Sequence, residues 1–204
     1  MKTSIPATVL LGTAILLLNS CATIKDSAYD TKPVTETKKE ANSSCYVIKT
    51  DGSTQYYSSL KLVTGVFVTP HLLADNKEVI EARDILAYQD NHRYAVSQKL
   101  LTTNKTSYVA TETLPGFAVR VVTGKLNVYA RKFYNGRNIV KEYFLQSGDQ
   151  GQIIAYSSEL MSELVKDNVT ASDYYNSKVK ISPKSKKLLA TADIYNNSQL
   201  ISKY

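Results

Sequence analysis

Tryptophan is absent from this chain, and cysteine, histidine and methionine occur twice each. Two cysteines, Cys21 and Cys45, cannot build a disulfide framework. The two histidines, His71 and His92, stand in no metal-ligand spacing, and no His-Glu-x-x-His pattern occurs. Both fall at predicted turns, where a solvated imidazole is expected. Neither a Gly-x-Ser-x-Gly elbow nor a phosphate-binding glycine loop is present. No catalytic residue, metal or cofactor is therefore expected, although a serine–histidine–acid triad can assemble in space from distant residues. A membrane-spanning run is missing too. The apolar stretch Ile5–Leu18 is shorter than the roughly 20 residues a spanning helix takes. Charge is also short of either extreme, at +7 for the whole chain. A mild lysine excess does not imply nucleic acid, and a negatively charged membrane surface is its more natural neighbour.

What is present begins at the amino terminus. Met1–Ser20 has the three parts of a secretory signal: Lys2 as the positive flank, the apolar middle, and small residues at the cut. Leu18-Asn19-Ser20-Cys21 resembles the lipobox of bacterial lipoproteins, with Asn19 where a small or apolar residue is commoner. That resemblance implies removal of the signal, acylation of Cys21 and a stable lipid anchor. Three acyl chains hold firmly, since each buried methylene contributes about 0.8 kcal/mol. Ala22, in place of the retention signal Asp, points to the outer membrane, with periplasmic and surface faces both open. The alternative is ordinary cleavage after Ala22 and a secreted protein. With Cys21 acylated, Cys45 has no partner and is expected to be buried at the start of the first strand.

Residues 21–44 read as the lipidated cysteine and a polar, flexible tether, with no periodic apolar pattern. Such a coil spans roughly 25 Å, and at most about 75 Å when stretched. Within it, Asp26-Ser27-Ala28 resembles the O-glycosylation triplet of Bacteroidota, with Ser27 as acceptor, and Lys25-Asp26 faintly resembles their surface-export tag. Gly124-Lys125-Leu126-Asn127-Val128-Tyr129, Tyr143-Phe144-Leu145-Gln146 and Ile194-Tyr195-Asn196 are similar to uncharacterised Bacteroidota exported proteins. That likeness implies no activity.

Residues 45–204 are expected to form one domain, mainly β over 45–156 and mainly helical over 157–204. Asp51-Gly52 separates strands Cys45–Lys49 and Thr54–Tyr57. The continuous β-branched run Leu62–Val68 reads as a buried central strand ended by Pro70. A turn at Asp75-Asn76-Lys77 precedes Val79-Ile80, and Asp84–Gln89 pairs with Arg93–Ser97. A helix over 77–88 competes with that reading. Glu78, Glu81 and Asp84 surround Arg83 and make a solvated charged edge. Thr102–Ser107 reads as a loop, Ser107–Thr111 as a short strand, and Leu114-Pro115-Gly116 as a turn. Phe117–Thr123, Leu126–Tyr134, Arg137–Leu145 and Gln152–Tyr156 then form a meander. Asn135-Gly136 as a two-residue loop sets Leu126 opposite Leu145 and Val128 opposite Tyr143 on a core face. It puts Tyr129 opposite Glu142 on a wet one. Gly148-Asp149-Gln150-Gly151 lacks the repeated acids of a calcium loop and reads as a turn.

The period then changes. Ser157 or Ser158 caps a helix to about Lys166 whose stripe is Leu160, Met161, Leu164 and Val165. Ala171–Lys178 reads as a second helix. Ser182-Pro183 opens a third, with Leu188, Leu189, Ala192 and Tyr195 as its stripe and Asn196-Asn197-Ser198 as its end. Strands followed by helices argue for an α+β fold: an antiparallel β-meander, roll or partly open barrel followed by two or three C-terminal helices. Lys178, Lys180, Lys184, Lys186 and Lys187 form an acid-free run. It is either a solvated loop or a contact for anionic headgroups, glycan or an acidic partner. Fifteen tyrosines suit both a β-rich exported domain and a glycan-binding face. Three functions stay open: a non-catalytic binding or accessory module of the envelope, an envelope hydrolase acting on glycan or peptide, and a structural subunit pairing through a strand edge. A protein or glycan of the envelope is the expected partner.

Overall fold

Turn chemistry fixes the element order. The computed structural model describes residues 45–103, 112–178 and 183–201. The expected signal (1–20), Cys21, the tether with Ser27, the strand Ser107–Thr111, Lys180 and Ser182 lie outside the described residues. Twelve strands are described: β1 (Cys45–Lys49), β2 (Thr54–Tyr57), β3 (Leu60–Gly65), β4 (Val68–Ala74), β5 (Glu78–Glu81), β6 (Ile85–Gln89), β7 (Tyr94–Ser97), β8 (Leu101–Thr102), β9 (Phe117–Val122), β10 (Leu126–Tyr134), β11 (Ile139–Ser147) and β12 (Ile153–Ala155). Helices α1 (Ser158–Val165), α2 (Val169–Asn176) and α3 (Lys184–Ile201) follow. The fold is α+β, as its strand-then-helix order requires.

Nine strands form one sheet in the order β2-β1-β6-β7-β9-β10-β11-β12-β8, and β3-β4-β5 form a second. Neighbours in the large sheet are antiparallel except β12 and β8. Cross-strand register assigns its two faces, because side chains directly opposite each other share a face. On one face Ala95 lies opposite Val119, and Val119 opposite Ala130. Two separate covers pack on this face. Cys45, Val47, Tyr88 and Phe117 meet Leu60, Leu72 and Ile80 of the small sheet. Leu126, Val128 and Leu145 meet Met161, Val165, Leu188 and Tyr195 of the helices. Each such buried side chain contributes about 1.5–3 kcal/mol. The other face buries Ala87, Val96, Ala118, Tyr129, Phe144, Ile153 and Leu101 against one another. All of these come from the large sheet itself, so the sheet curls around this face into a half-barrel. We call the helix- and sheet-covered side outer and the curled side inner.

Capping explains the helix starts. Ser157 Oγ accepts from Leu160 N at 3.1 Å to open α1, and Asn168 Oδ1 accepts from Ala171 N at 3.0 Å to open α2. The α3 stripe of Leu188, Ala192 and Tyr195 is buried as expected.

Five expectations are corrected. Leu62–Val68 is no central strand: the chain reverses at Val66-Phe67, so the run is the tip of the β3–β4 hairpin. Pro70 does not end a strand but lies within β4. It stands beyond the β5 pairing and beside a register shift against β3, where a missing N–H breaks no regular ladder. Over 77–88 the strand reading holds against its helical alternative, with β5, a 3-10 turn Ala82–Asp84 and β6 in that stretch.

The β10–β11 loop is longer than two residues. Tyr134 pairs with Ile139, and Asn135 Oδ1 accepts from the N–H groups of Arg137 (3.0 Å) and Asn138 (2.9 Å). The pairing moves by two, so Leu126 faces Ser147 and Val128 faces Leu145. A shift of two keeps every side chain on its expected face. The face expected to be wet is nevertheless buried at Tyr129 and Arg131, because the sheet curls over it. Finally, α3 does not stop at Asn196–Ser198 but runs to Ile201.

Candidate binding face

The register that separates the faces also lines up a row of side chains on the inner one. Tyr56 of β2 lies opposite Tyr46 of β1, and Tyr46 opposite Gln89 of β6. Gln89 lies opposite Tyr94 of β7, and Arg120 of β9 opposite Tyr129 of β10. The step between Tyr94 and Arg120 is a stacked one, with the guanidinium carbon 4.5 Å from the ring centre. Tyr46 lies 5.8 Å from Tyr56 and 6.4 Å from Tyr94, centre to centre, both tilted. Tyr56 is 66% exposed, Tyr46 and Tyr94 are half-buried, and Tyr129 is buried. The row therefore runs from solvent at the β2 edge into the curl of the sheet.

A polar network fixes its inner end. Tyr129 donates its hydroxyl to Gln146 Oε1 at 2.7 Å, and Gln146 Nε2 donates to the Gly151 carbonyl at 2.8 Å. Asn127 Nδ2 donates to Asp149 Oδ1 at 3.1 Å, and Arg120 pairs with the same carboxylate at 3.6 Å. The Gly148–Gly151 turn thus supplies Asp149 as a holder of Arg120. Burial pushes the Tyr94 phenol up to about 12 and raises that of Tyr129. Both stay protonated at neutral pH, so they offer ring faces and hydroxyl donors rather than a base.

Further along the inner face, Arg131 is 1% exposed and its guanidinium meets Glu142 at 2.6 Å across β10 and β11. Phe133 and Phe144 flank the guanidinium, each 5.5 Å from it. A cavity of about 740 Å³ opens at the β11–β12 edge, lined in part by Glu142, Phe144, Tyr156, Lys184 and Leu188.

The residues singled out by sequence fall elsewhere. Cys45 is buried on the outer side, with its thiol 3.2 Å from Asn91 Oδ1. His92 is exposed at the β6–β7 turn, as expected. His71 is corrected: it stands in β4, not in a turn, and its Nδ1 lies 2.9 Å from the Thr69 carbonyl oxygen. Among the described residues no group of three or more His, Cys, Asp or Glu is placed to hold a metal ion. Arg83 pairs with Glu81 at 2.8 Å on a solvated edge. Lys178, Lys184 and Lys186 are exposed, whereas Lys187 donates to the Ser177 carbonyl at 2.7 Å and closes the end of α2. Sequence reasoning missed Arg120, Gln89, Gln146 and Asp149. The abundance of tyrosine was the one signal pointing to this face. Protein-family models, curated proteins and solved structures give no match to this chain.

Proposed function

We propose that this chain is a lipid-anchored, non-catalytic binding module of a bacterial cell envelope, whose inner-face tyrosine row holds a glycan. Cys21 carries the anchor and residues 21–44 the tether, at the outer membrane. The observation that carries the reading is the run Tyr56–Tyr46–Gln89–Tyr94–Arg120. Sugar rings offer C–H patches to aromatic faces and hydroxyls to amides and carboxylates. Gln89 and Asp149 stand where such hydroxyls would be met.

Calorimetry of the purified chain with envelope oligosaccharides tests it. Tyr56→Ala removes an exposed ring, so stability should hold within about 0.5 kcal/mol. Affinity should fall about 3- to 10-fold, as expected for one aromatic contact. Absence of glycan binding, or release of cleaved sugar or peptide, overturns the reading, and the second outcome favours the hydrolase alternative. Metabolic labelling with a radioactive fatty acid tests the anchor, and an unlabelled product would favour the secreted form.

The structural-subunit alternative has one observation behind it. Within β11, only Phe144 and Leu145 are in register with β12. Among the described residues no strand pairs with Ile139–Glu142 on that side. Concentration-dependent assembly in sedimentation, abolished by Lys141→Pro, would favour that alternative.

A further inference from the structure

The tip of the β3–β4 hairpin breaks the usual rule for a hairpin loop. Val66 is 92% exposed and Phe67 98% exposed, with Val68 beside them 44% exposed. Among the described residues, no folded contact covers this phenylalanine and valine. Nothing from Leu62 to Pro70 is charged; only Thr64 and Thr69 are polar. Glu81 lies opposite His71, level with Val63, and pairs with Arg83. At the strand rise, Glu81 stands roughly 7 Å behind Gly65. Amphipathic elements that lie in a membrane interface bury about 5–10 Å of apolar surface there. The charge-free length of the tip matches that depth.

We infer that Val66 and Phe67 dip into the acyl boundary of a lipid bilayer and give the domain a second membrane contact beside its anchor. A bilayer suits the tip better than a protein pocket. Two protruding side chains fall far short of the roughly 800 Å² per partner that a specific protein interface buries. A contact made beside an existing anchor needs no such area. The inference rests on the lipid-anchor reading only for bringing the domain to a bilayer. The tip carries no cation, so the contact does not depend on anionic lipid or on salt.

The chain holds no tryptophan, so Phe67→Trp places the sole tryptophan at the tip, and excitation beyond the tyrosine band reads it alone. The full chain is reconstituted into phosphatidylethanolamine–phosphatidylglycerol vesicles with brominated acyl chains. Emission should shift to the blue and fall about twofold by contact with bromine, unchanged in high salt. Tyr134→Trp, at the tip of the β10–β11 hairpin, is the reference and should stay unquenched. Water-like, unquenched emission from position 67 overturns the inference. So does equal quenching at 67 and 134, which is non-specific adsorption. So does a blue shift that needs an envelope protein, which is a protein pocket. Mass measurement of the same sample reads Cys21 acylation separately, so failure of the anchor and failure of the tip are distinguished.

Discussion

The two faces of the large sheet are both dry at their centres, yet different physics holds them. The outer face is covered by other elements, the small sheet and the helices, and buries mostly aliphatic side chains together with Tyr88, Phe117 and Tyr195. Its polar contacts, such as the Asn196 amide on Leu126 and the Lys125–Asp167 pair, lie at the rim. The inner face covers itself by curling, and a curl leaves no second layer to match it. Large amphipathic side chains fill it instead: Tyr129, Arg131 and Phe144 within, and Tyr46, Tyr94 and Arg120 toward solvent. A face of this kind can be part core and part binding surface. A face under a close-packed cover cannot.

The sharpest way to break the comparison is at the buried charge. Arg131→Met leaves Glu142, only 15% exposed, without its guanidinium. Removing one partner of a buried pair costs about 3–5 kcal/mol. Replacing both, as Arg131→Met with Glu142→Leu, should restore most of that, because the pair offsets its own desolvation. Urea titrations of the three chains decide it. If the single variant loses less than a third of the expected amount, the inner face does not depend on this pair.

The outer cover has a clamp of comparable reach and smaller size. Asn196 of α3 accepts from Leu126 N at 2.9 Å and donates to the Leu126 carbonyl at 2.9 Å, as a neighbouring strand would. Gly124 allows the approach, since a Cβ there would fall 2.4 Å from Asn196 Cγ. Asn196→Ala should cost about 1–3 kcal/mol for the orphaned backbone groups. Gly124→Ala should displace the same amide, so the double variant should be no worse than the poorer single one. Additive losses in a thermal-melt cycle would mean that the two residues act independently. Glycan affinity of the folded protein should be untouched, because the clamp lies on the face away from the tyrosine row.

Legibility in the sequence followed the range of the interaction. Turns at Asp51-Gly52, Asp75-Asn76 and Leu114-Pro115-Gly116 were readable because their signal is local. The alternation in β10 gave the correct faces even though the loop length was misjudged. The tyrosine row was not readable. It depends on β1 pairing with β6 and on β7 pairing with β9, and nothing near Tyr46 or Tyr94 encodes those partners. The same limit applies to Asn196, which has the residue type of a helix end and here serves a strand 70 residues away. Leu62–Val68 failed for another reason. An apolar run states that side chains avoid water when a cover exists, and the tip of the small sheet has no cover among the described residues.

The smallest effect lies where the outer cover meets solvent. Lys125 in the β9–β10 turn donates to Asp167 Oδ2 at 2.8 Å, and the Tyr195 hydroxyl donates to the same oxygen at 3.2 Å. The bond from Lys125 is the chief cause that holds the Asp167 carboxyl below its ordinary value of 3.8. A lowered folded value means that the stabilisation is complete above the unfolded value and disappears as pH falls through the folded one. The window therefore lies below about pH 4. Both side chains are about half exposed, so solvent screens the pair and its contribution is about 0.2–1 kcal/mol. Asp167→Asn should lower stability by that amount at pH 7 and by nothing at pH 2. Salt should erase the difference at pH 7, as it does for exposed pairs. An acid limb as steep in Asp167→Asn as in the parent would shift the origin of acid sensitivity to another carboxylate.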